Sequence, residues 1–451
     1  MIALSTLVFL AIISFIFPKR ALIMTLYWIV WVGAVRKWLL PEWSDILFFS
    51  PHIFLFGPYI RFLMARGQYT SVQFTRLGST KVLFFLMGLL LFWGTISIVN
   101  PRSPDIRIGI VGLIIHFYFI PTIFILPSIF QTRDDLIDFL KKFTLCSIPV
   151  LLLGFVQFFS PTMSELNKYV GGSTDIAMIA QHPRITGTFS YIAGYSTYLN
   201  VIILILIFLF SREKLSALSS IGILVQAILA IANLLMTGSR GPVWISLISM
   251  IVYMIVSSRL GVQFAAKTLI RFILAGALIT YVFTSLNRPK EAFEAFQGRV
   301  EGASDVNPRL ITTFTPLSKF LGQAGLFGYG IGTTYQGNLK WDIDRGDMTD
   351  DYEEEPGRIL LELGLIGYLL VYLLRLALII QFWALFKRLR DMDLKLLALC
   401  SLLFQLQFLH FRNLVFDFTS HIFYWFFVSF LFLLPRLDLD EEQIKTEPTT
   451  I

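Results

Sequence analysis

Long apolar segments separated by short charged ones account for most of this chain. They lack the alternation of apolar and polar residues that marks the strands of a membrane β-barrel, so helices are predicted. Spanning the ~30 Å hydrocarbon core of a bilayer takes about 20 apolar residues in a helix. The pattern therefore predicts an all-α polytopic membrane protein with about 12–14 transmembrane helices. The candidate spans, of which the shorter ones also suit re-entrant or interfacial placement, are 2–17, 21–35, 46–65, 82–98, 107–130, 142–160, 191–210, 216–236, 241–258, 265–286, 357–386, 396–411 and 415–434.

Composition supports the same class. The chain has 451 residues, of which 56% are hydrophobic and 15% charged, and its mean hydropathy is +0.71. A soluble domain of this length has too much water-facing surface for such a composition. Cys146 and Cys400 both fall in apolar runs, so they indicate neither a disulfide framework nor a metal site. The net charge of +7 fits basic cytoplasmic loops better than nucleic-acid binding.

The basic residues predict the orientation of the chain. One alternate set of loops carries 17 lysines and arginines, whereas the short loops of the other set carry eight. The richer set is expected in the cytoplasm. This assignment sends to the opposite face a loop at about 161–190, a break at Arg240, a turn near Arg412, and a long loop at about 287–356 before the third-last span. Residues 1–436 are then a single integral membrane domain, and 437–451 form a short acidic cytoplasmic tail that we expect to be disordered.

Arg240 interrupts two apolar spans in the stretch "NLLMTGSRGPVWISLISM", residues 233–250. Such an arginine is often a snorkelling or topology-setting residue. Here, however, Gly238 and Gly241 permit close backbone approach, and Ser239 can cap the following helix. A guanidinium beside the N-terminal amides of a helix favours an anion, and especially a phosphate.

A second arginine stands before another span, in "QHPRITGTFSYIAGYSTYLN", residues 181–200. Arg184 precedes Gly187 and Gly194, and Tyr191 and Tyr195 follow it. The tyrosines suit an interfacial aromatic belt, or a wall that stacks on and hydrogen-bonds a sugar.

Acidic residues close the long loop in "DDYEEEPGRILLELGLIGYLL", residues 350–370. Glu353 and its neighbours complement the dipole of the helix that Pro356 begins. Arg358 and Glu362, four residues apart, suit an ion pair on one helix face. A carboxylate that faces phosphate-binding arginines also suits general-base chemistry on a hydroxyl.

Four motifs in order resemble the O-antigen ligase and polymerase superfamily of bacterial envelope glycosyltransferases. They are "RITGTF" (184–189), "TGSRGP" (237–242), "GLFGYGIGTT" (325–334) and "RILLELGLIG" (358–367). The resemblance covers roughly residues 184–370. The family has a His-Asn motif before the last stretch, and Glu353 and Glu354 stand at those two positions here. This departure favours a polysaccharide polymerase over a ligase to lipid A core.

The resemblance implies a reaction and its partners. A saccharide linked to undecaprenyl diphosphate would be transferred to an acceptor hydroxyl at the periplasmic face of the bacterial inner membrane, in O-antigen, capsule or exopolysaccharide biosynthesis. The partners would be the donor, a saccharide acceptor, the bilayer and other envelope-assembly proteins, without nucleic acid. The same features leave open a ligase to lipid A core or protein, a flippase of lipid-linked oligosaccharides, and a non-catalytic scaffold.

Each candidate residue then has an expected role. Arg184 and Arg240 bind the diphosphate, and Glu353 or a near neighbour takes the acceptor proton. No cofactor and no metal site is predicted, although the spaced acids of "DIDRGDMTDD" (342–351) offer a weaker alternative for a divalent ion. The expected substrate-binding and supporting residues are Arg358, Glu362, Tyr191, Tyr195 and Ser239.

Overall fold

The computed structural model describes residues 2–64, 80–170, 178–179, 182–212, 217–261, 285, 316–335, 348, 354–409 and 412–446. These residues are predominantly helical. A single two-stranded antiparallel ladder, β1 (Met178–Ile179) with β2 (His182–Pro183), interrupts them. The helices, numbered in chain order over the described residues, are α1 (Ile2–Ile16), α2 (Pro18–Ala34), α3 (Ser44–Phe48), α4 (Ser50–Met64), α5 (Thr80–Ser97), α6 (Ile106–Phe117), α7 (Thr122–Ile125), α8 (Arg133–Leu145), α9 (Ile148–Phe159), α10 (Ile192–Phe210), α11 (Ala217–Met236), α12 (Arg240–Arg259), α13 (Pro316–Ala324), α14 (Glu355–Arg388), α15 (Met392–Gln407), α16 (Phe418–Val428) and α17 (Phe430–Thr446).

Ten helical stretches within the described residues are long and apolar enough to cross a membrane. This confirms the predicted all-α polytopic membrane fold. Three of the predicted spans are not among the ten. Two of these, α1 and α15, are helices of 15 and 16 residues. The third, 265–286, lies outside the described residues apart from residue 285.

Burial separates a central helix from helices at the edge of the bundle. In α10, 94% of the apolar window is buried, against 28% in α12. Helices α8, α11, α12, α15 and α16 all contact α10, which explains why nearly its whole circumference is buried. The outer face of α12 instead exposes large apolar side chains, as a lipid-facing helix must: Trp244, Ile248, Ile251 and Ile255.

The longest helix, α14, contains a break at Gly364. Its φ of 67° and ψ of −174° belong to a region that only glycine occupies readily. Residues 325–330 lie along this break and form backbone hydrogen bonds with residues 361–366. Non-helical backbone inside a membrane protein needs such internal partners, because lipid offers none. The glycine-rich stretch "GLFGYG" therefore completes a discontinuous helix.

Two expectations about polar segments are wrong. The charged segment before span 142–160, predicted as loop, begins the amphipathic helix α8, which starts at a capping box formed by Thr132 and Asp135. Its buried face carries Leu136, Leu140 and Phe143, so the spacing of its apolar residues outweighs its charge. The tail, expected to be disordered, is helical as far as Thr446 because α17 continues into it.

Candidate functional site

A cavity of about 680 Å³ lies between the ends of several helices. Its walls come from the C-terminal half of α2, the end of α3, the starts of α10 and α14, and residues 413–419 at the start of α16. The charged side chains in its lining are Arg36, Arg358 and Asp417. Several of the remaining lining residues are apolar or aromatic. A pocket of this size and character suits a ligand that is partly apolar and partly anionic.

Arg36 enters the cavity from a π-helical turn, Val35–Leu39, that ends α2 just before Pro41. Its Nε donates to the Ser44 carbonyl oxygen at 2.9 Å, and its Nη1 donates to Ser190 Oγ at 2.8 Å. The guanidinium also lies 4.9 Å from the centre of the Phe48 ring. These contacts hold a permanent cation at the wall of the cavity.

The segment 184–190, which carries the "RITGTF" motif, is fixed by side chains from two other helices. Gln157 bonds Gly187 on both sides, accepting from its amide at 2.8 Å and donating to its carbonyl at 3.1 Å. The buried Lys37 ammonium donates to the same carbonyl at 2.8 Å and to Thr186 Oγ1 at 3.0 Å. Gly33 of α2 lets this segment approach, since a Cβ there would lie 2.4 Å from the Ser190 amide nitrogen. The segment is consequently a rigid part of the cavity wall.

Arg184 joins this segment to the break before α12. Its Nε donates to the Thr237 carbonyl oxygen at 3.0 Å, and its Nη2 donates to Ser239 Oγ at 2.8 Å. Gly238 has a φ of 64°, the left-handed turn expected between the two helices. Ser239 occupies the N-cap position but its side chain caps no amide of α12, so the expected capping role is wrong. It receives Arg184 instead.

The cavity lining excludes both Arg184 and Arg240. Arg240 is the first residue of α12, half-buried, directly after Ser239. The two predicted diphosphate ligands are thus close to each other, and Arg184 is six residues from the cavity residue Ser190. In this conformation, the guanidinium groups at the cavity are those of Arg36 and Arg358.

Arg358 and Glu362 are joined through Thr334 rather than by the direct ion pair that their spacing favoured. Arg358 Nε donates to Thr334 Oγ1 at 3.1 Å, and Nη2 donates to the Thr334 carbonyl oxygen at 2.8 Å. Glu362 Oε1 accepts from the Thr334 hydroxyl at 2.6 Å and from its amide at 2.9 Å. The other oxygen, Oε2, lies 2.8 Å from His116 Nε2. Glu362 therefore supports Arg358 indirectly.

The expected roles of the acidic residues before α14 have different outcomes. Glu353, the expected base, lies outside the described residues. Glu355 is buried and forms an ion pair with Arg375. Its second oxygen accepts from the amides of Leu414 and Val415. Those partners make Glu355 a structural residue that ties α14 to the loop before α16, and they explain why an arginine stands inside a span.

Of the two tyrosines predicted to contact sugar, only Tyr191 lines the cavity. Its exposed fraction is 48%. Tyr195 is fully buried, and its hydroxyl donates to Asn233 Oδ1 at 2.8 Å. In this structure Tyr195 belongs to the core, one helical turn inside α10, and its expected contact with substrate is not supported.

Asp417 supplies the carboxylate of the cavity lining. It precedes α16 as N-cap, accepting from the Thr419 amide at 3.1 Å and from Ser420 Oγ at 2.6 Å. Burial raises the pKa of this carboxyl, while those hydrogen bonds and nearby Arg412 oppose the rise. Burial also lowers the pKa of Arg412 to about 10, so its guanidinium stays charged at neutral pH. Arg412 itself donates to Ser196 Oγ and Gln407.

Sequence reasoning missed the cavity-lining residues Arg36, Asn413 and Asp417. A usable signal existed for Arg36, because "VRKWL" places two cations at the end of an apolar span on the face where basic residues are scarce. Nothing in the sequence distinguished Asp417 from an ordinary N-cap residue. Only the packing of α16 against α2 and α10 turns it toward the cavity.

Metal binding finds no support in the described part of the chain, where no group of three His, Cys, Asp or Glu side chains is placed to hold an ion. The acids of the 342–351 stretch lie outside the described residues.

No protein-family model matches the chain, and no curated protein matches it.

Proposed function

We propose that this protein is a membrane glycosyltransferase whose donor is a saccharide linked to a polyprenyl diphosphate such as undecaprenyl diphosphate. The observation that carries the proposal is the cavity in which two guanidinium groups and one carboxylate lie between the ends of membrane-spanning helices. A donor of this class likewise combines an apolar part, its long lipid, with an anionic part, its two phosphates, and a polar sugar.

The arginines suit the diphosphate. A guanidinium stays charged in a medium of low dielectric constant and can bind phosphate through two parallel hydrogen bonds. When the bond between sugar and diphosphate breaks, negative charge grows on the diphosphate. Cations that are already held in place, as Arg36 and Arg358 are by Ser190 and Thr334, stabilise that transition state without having to reorganise.

The proposed reaction needs a proton acceptor. The acceptor hydroxyl oxygen attacks the anomeric carbon, the carbon–oxygen bond to the diphosphate breaks, and its electron pair leaves with the lipid diphosphate. A carboxylate takes the hydroxyl proton. Glu353 remains our candidate for this base, because the partners of Glu355 commit that neighbour to Arg375 and the loop before α16.

The distribution of basic loop residues supports placing the cavity at the periplasmic face of a bacterial inner membrane. Segments predicted on that face also bond one another or the start of α14. Arg184 bonds the turn before α12, Thr334 bonds Arg358, and Val415 bonds Glu355. Their proximity is consistent with a site on that one face.

The test is reconstitution of the purified protein in vesicles with a lipid-linked oligosaccharide. Chain elongation with release of lipid diphosphate supports the proposal, whereas movement of donor across the bilayer without bond formation would identify a flippase. Arg36→Gln and Arg358→Gln should each raise the donor concentration that gives half-maximal rate ~10- to 100-fold, because each removes a charged hydrogen-bond donor.

Arg107→Gln is the matched control. Arg107 is 71% exposed at the start of α6, where it pairs with Asp105. Its loss should leave transfer unchanged. Normal transfer in both cavity variants, or equal losses in all three, would contradict the assignment of the diphosphate site.

A further inference from the structure

A buried chain of polar contacts runs from the cavity into the bundle. It begins at Arg358 in the cavity lining, passes through Thr334 and Glu362, and ends at His116 of α6. The three steps measure 3.1 Å, 2.6 Å and 2.8 Å. Every member is less than 10% exposed, so bulk water has little access to the chain.

The chemistry of the threonine hydroxyl gives the chain a direction. A hydroxyl has one hydrogen to donate and lone pairs that accept. Because the Thr334 hydroxyl donates to Glu362 Oε1, the lone pairs that remain on this oxygen can receive Arg358 Nε. The Thr334 main chain repeats the arrangement, since its amide donates to Glu362 and its carbonyl accepts from Arg358. The position of Glu362 thus decides where Thr334 presents its acceptors.

Glu362 needs its own anchor. Its Oε1 atom is used by Thr334, its Oε2 atom lies 2.8 Å from His116 Nε2, and the Gly332 backbone also hydrogen-bonds the carboxylate. Without that partner, the fully buried Glu362 carboxylate would lose a charge-assisted hydrogen bond, and its side chain would move.

An aromatic ring closes the arrangement. The Arg358 guanidinium carbon lies 3.4 Å from the centre of the Phe416 ring, and the His116 ring meets the edge of the same ring at 5.8 Å. Phe416 itself lines the cavity. A displacement of His116 would therefore alter the cavity lining through two of its contacts, Glu362 and Phe416.

We infer that His116 is a positioning residue for Arg358, acting through Glu362 and Thr334 to hold the guanidinium where a lipid diphosphate would lie. This inference rests on the proposed function for the identity of the ligand. It does not make His116 catalytic, because His116 is not among the residues that line the cavity.

The test measures donor saturation for His116→Ala, His116→Gln and Thr334→Val in the reconstituted system, together with the unfolding temperature of each variant in detergent. His116→Ala should raise the half-saturating donor concentration ~10-fold while the maximal rate at saturation changes less than about two-fold. His116→Gln, whose amide can still donate to Glu362, should recover most of the loss. Both substitutions interrupt the same chain of contacts. The half-saturating donor concentration of the double variant, His116→Ala with Thr334→Val, should therefore be no higher than that of Thr334→Val alone.

His421→Ala is the matched control, because His421 is also a buried histidine within the bundle but is not a member of the chain. Equal donor saturation in His116→Ala and His421→Ala, or additive losses in the double variant, would overturn the inference. Should His116→Ala fail to fold, His116→Phe keeps the volume without the bond to Glu362, and the same comparison decides. Failure of the wild-type protein to transfer sugar would instead refute the proposed function. In that case, the Arg358-dependent affinity for undecaprenyl diphosphate alone, measured for the same variants, would still show whether His116 positions Arg358.

Discussion

The buried ion pair between Arg375 and Glu355 gives a stability prediction that needs no assumption about function. The side chains are 5% and 1% exposed. Removing one member of such a pair leaves the other charge buried, which typically costs ~3–5 kcal/mol. We expect this loss for Arg375→Met, which also withdraws a 2.8 Å hydrogen bond from the Phe408 carbonyl oxygen.

Two further variants isolate the cause. Glu355→Gln combined with Arg375→Met removes both charges, yet it keeps an amide oxygen for the amides of Leu414 and Val415. The double variant should recover ~2 kcal/mol or more of the loss, because no unpaired charge remains. Arg212→Met breaks a pair with Asp393 in which the side chains are 20% and 19% exposed, and it should cost only ~1 kcal/mol or less.

The assay is equilibrium unfolding in mixed micelles as the fraction of denaturing detergent rises, followed by tryptophan fluorescence. Equal losses in Arg375→Met and Arg212→Met would refute the reasoning from burial. A double variant as unstable as Arg375→Met alone would refute the reasoning from unpaired charge, and would point to packing around the arginine side chain instead.

Two other predictions concern the backbone break and the cavity carboxylate. Gly364→Ala should lower the free energy of unfolding by ~3 kcal/mol or more, because the φ of Gly364 is positive and a Cβ would lie 2.2 Å from the Leu326 carbonyl oxygen. The control, Gly222→Ala, lies in open space on α11 and should change that free energy by less than ~1 kcal/mol. Equal effects of the two substitutions in the same unfolding assay would contradict this prediction. Because burial raises the Asp417 pKa, the folded protein holds that proton more tightly than the unfolded chain, so stability should fall as pH rises above about 3.9. Asp417→Asn, which keeps the cap, should flatten this decline in unfolding midpoints measured from pH 4 to 8; an unchanged slope would contradict it.

The membrane architecture was readable from the sequence because a bilayer imposes a length on each apolar segment. Ten of the predicted spans correspond to helices of suitable length and hydropathy. The break between α11 and α12 was equally local, since Gly238 and Pro242 mark a turn and a helix start wherever they occur in such a pattern. Arg184 and this break were both predicted on one face, but their hydrogen bonds are visible only in the structure.

The partners of buried charges were not readable in this way. Arg358 and Glu362 have the spacing of an ion pair, yet Thr334, from a distant segment, stands between them. Arg375 stands inside an apolar span, and its partner Glu355 is 20 residues away in the sequence. Such pairings depend on how the broken helix α14 packs against residues 325–335 and the loop before α16.

The sequence by itself determined that this chain is a bundle of membrane-spanning helices and where most of those helices begin and end, because hydrophobic length and turn chemistry are local properties. The tertiary structure alone decided which charged groups face the cavity. Arg36 and Asp417 are 381 residues apart in the chain, and they meet because α2 and α16 are packed side by side. Long-range packing of apolar faces, which carries no local signature, sets the chemistry of the site.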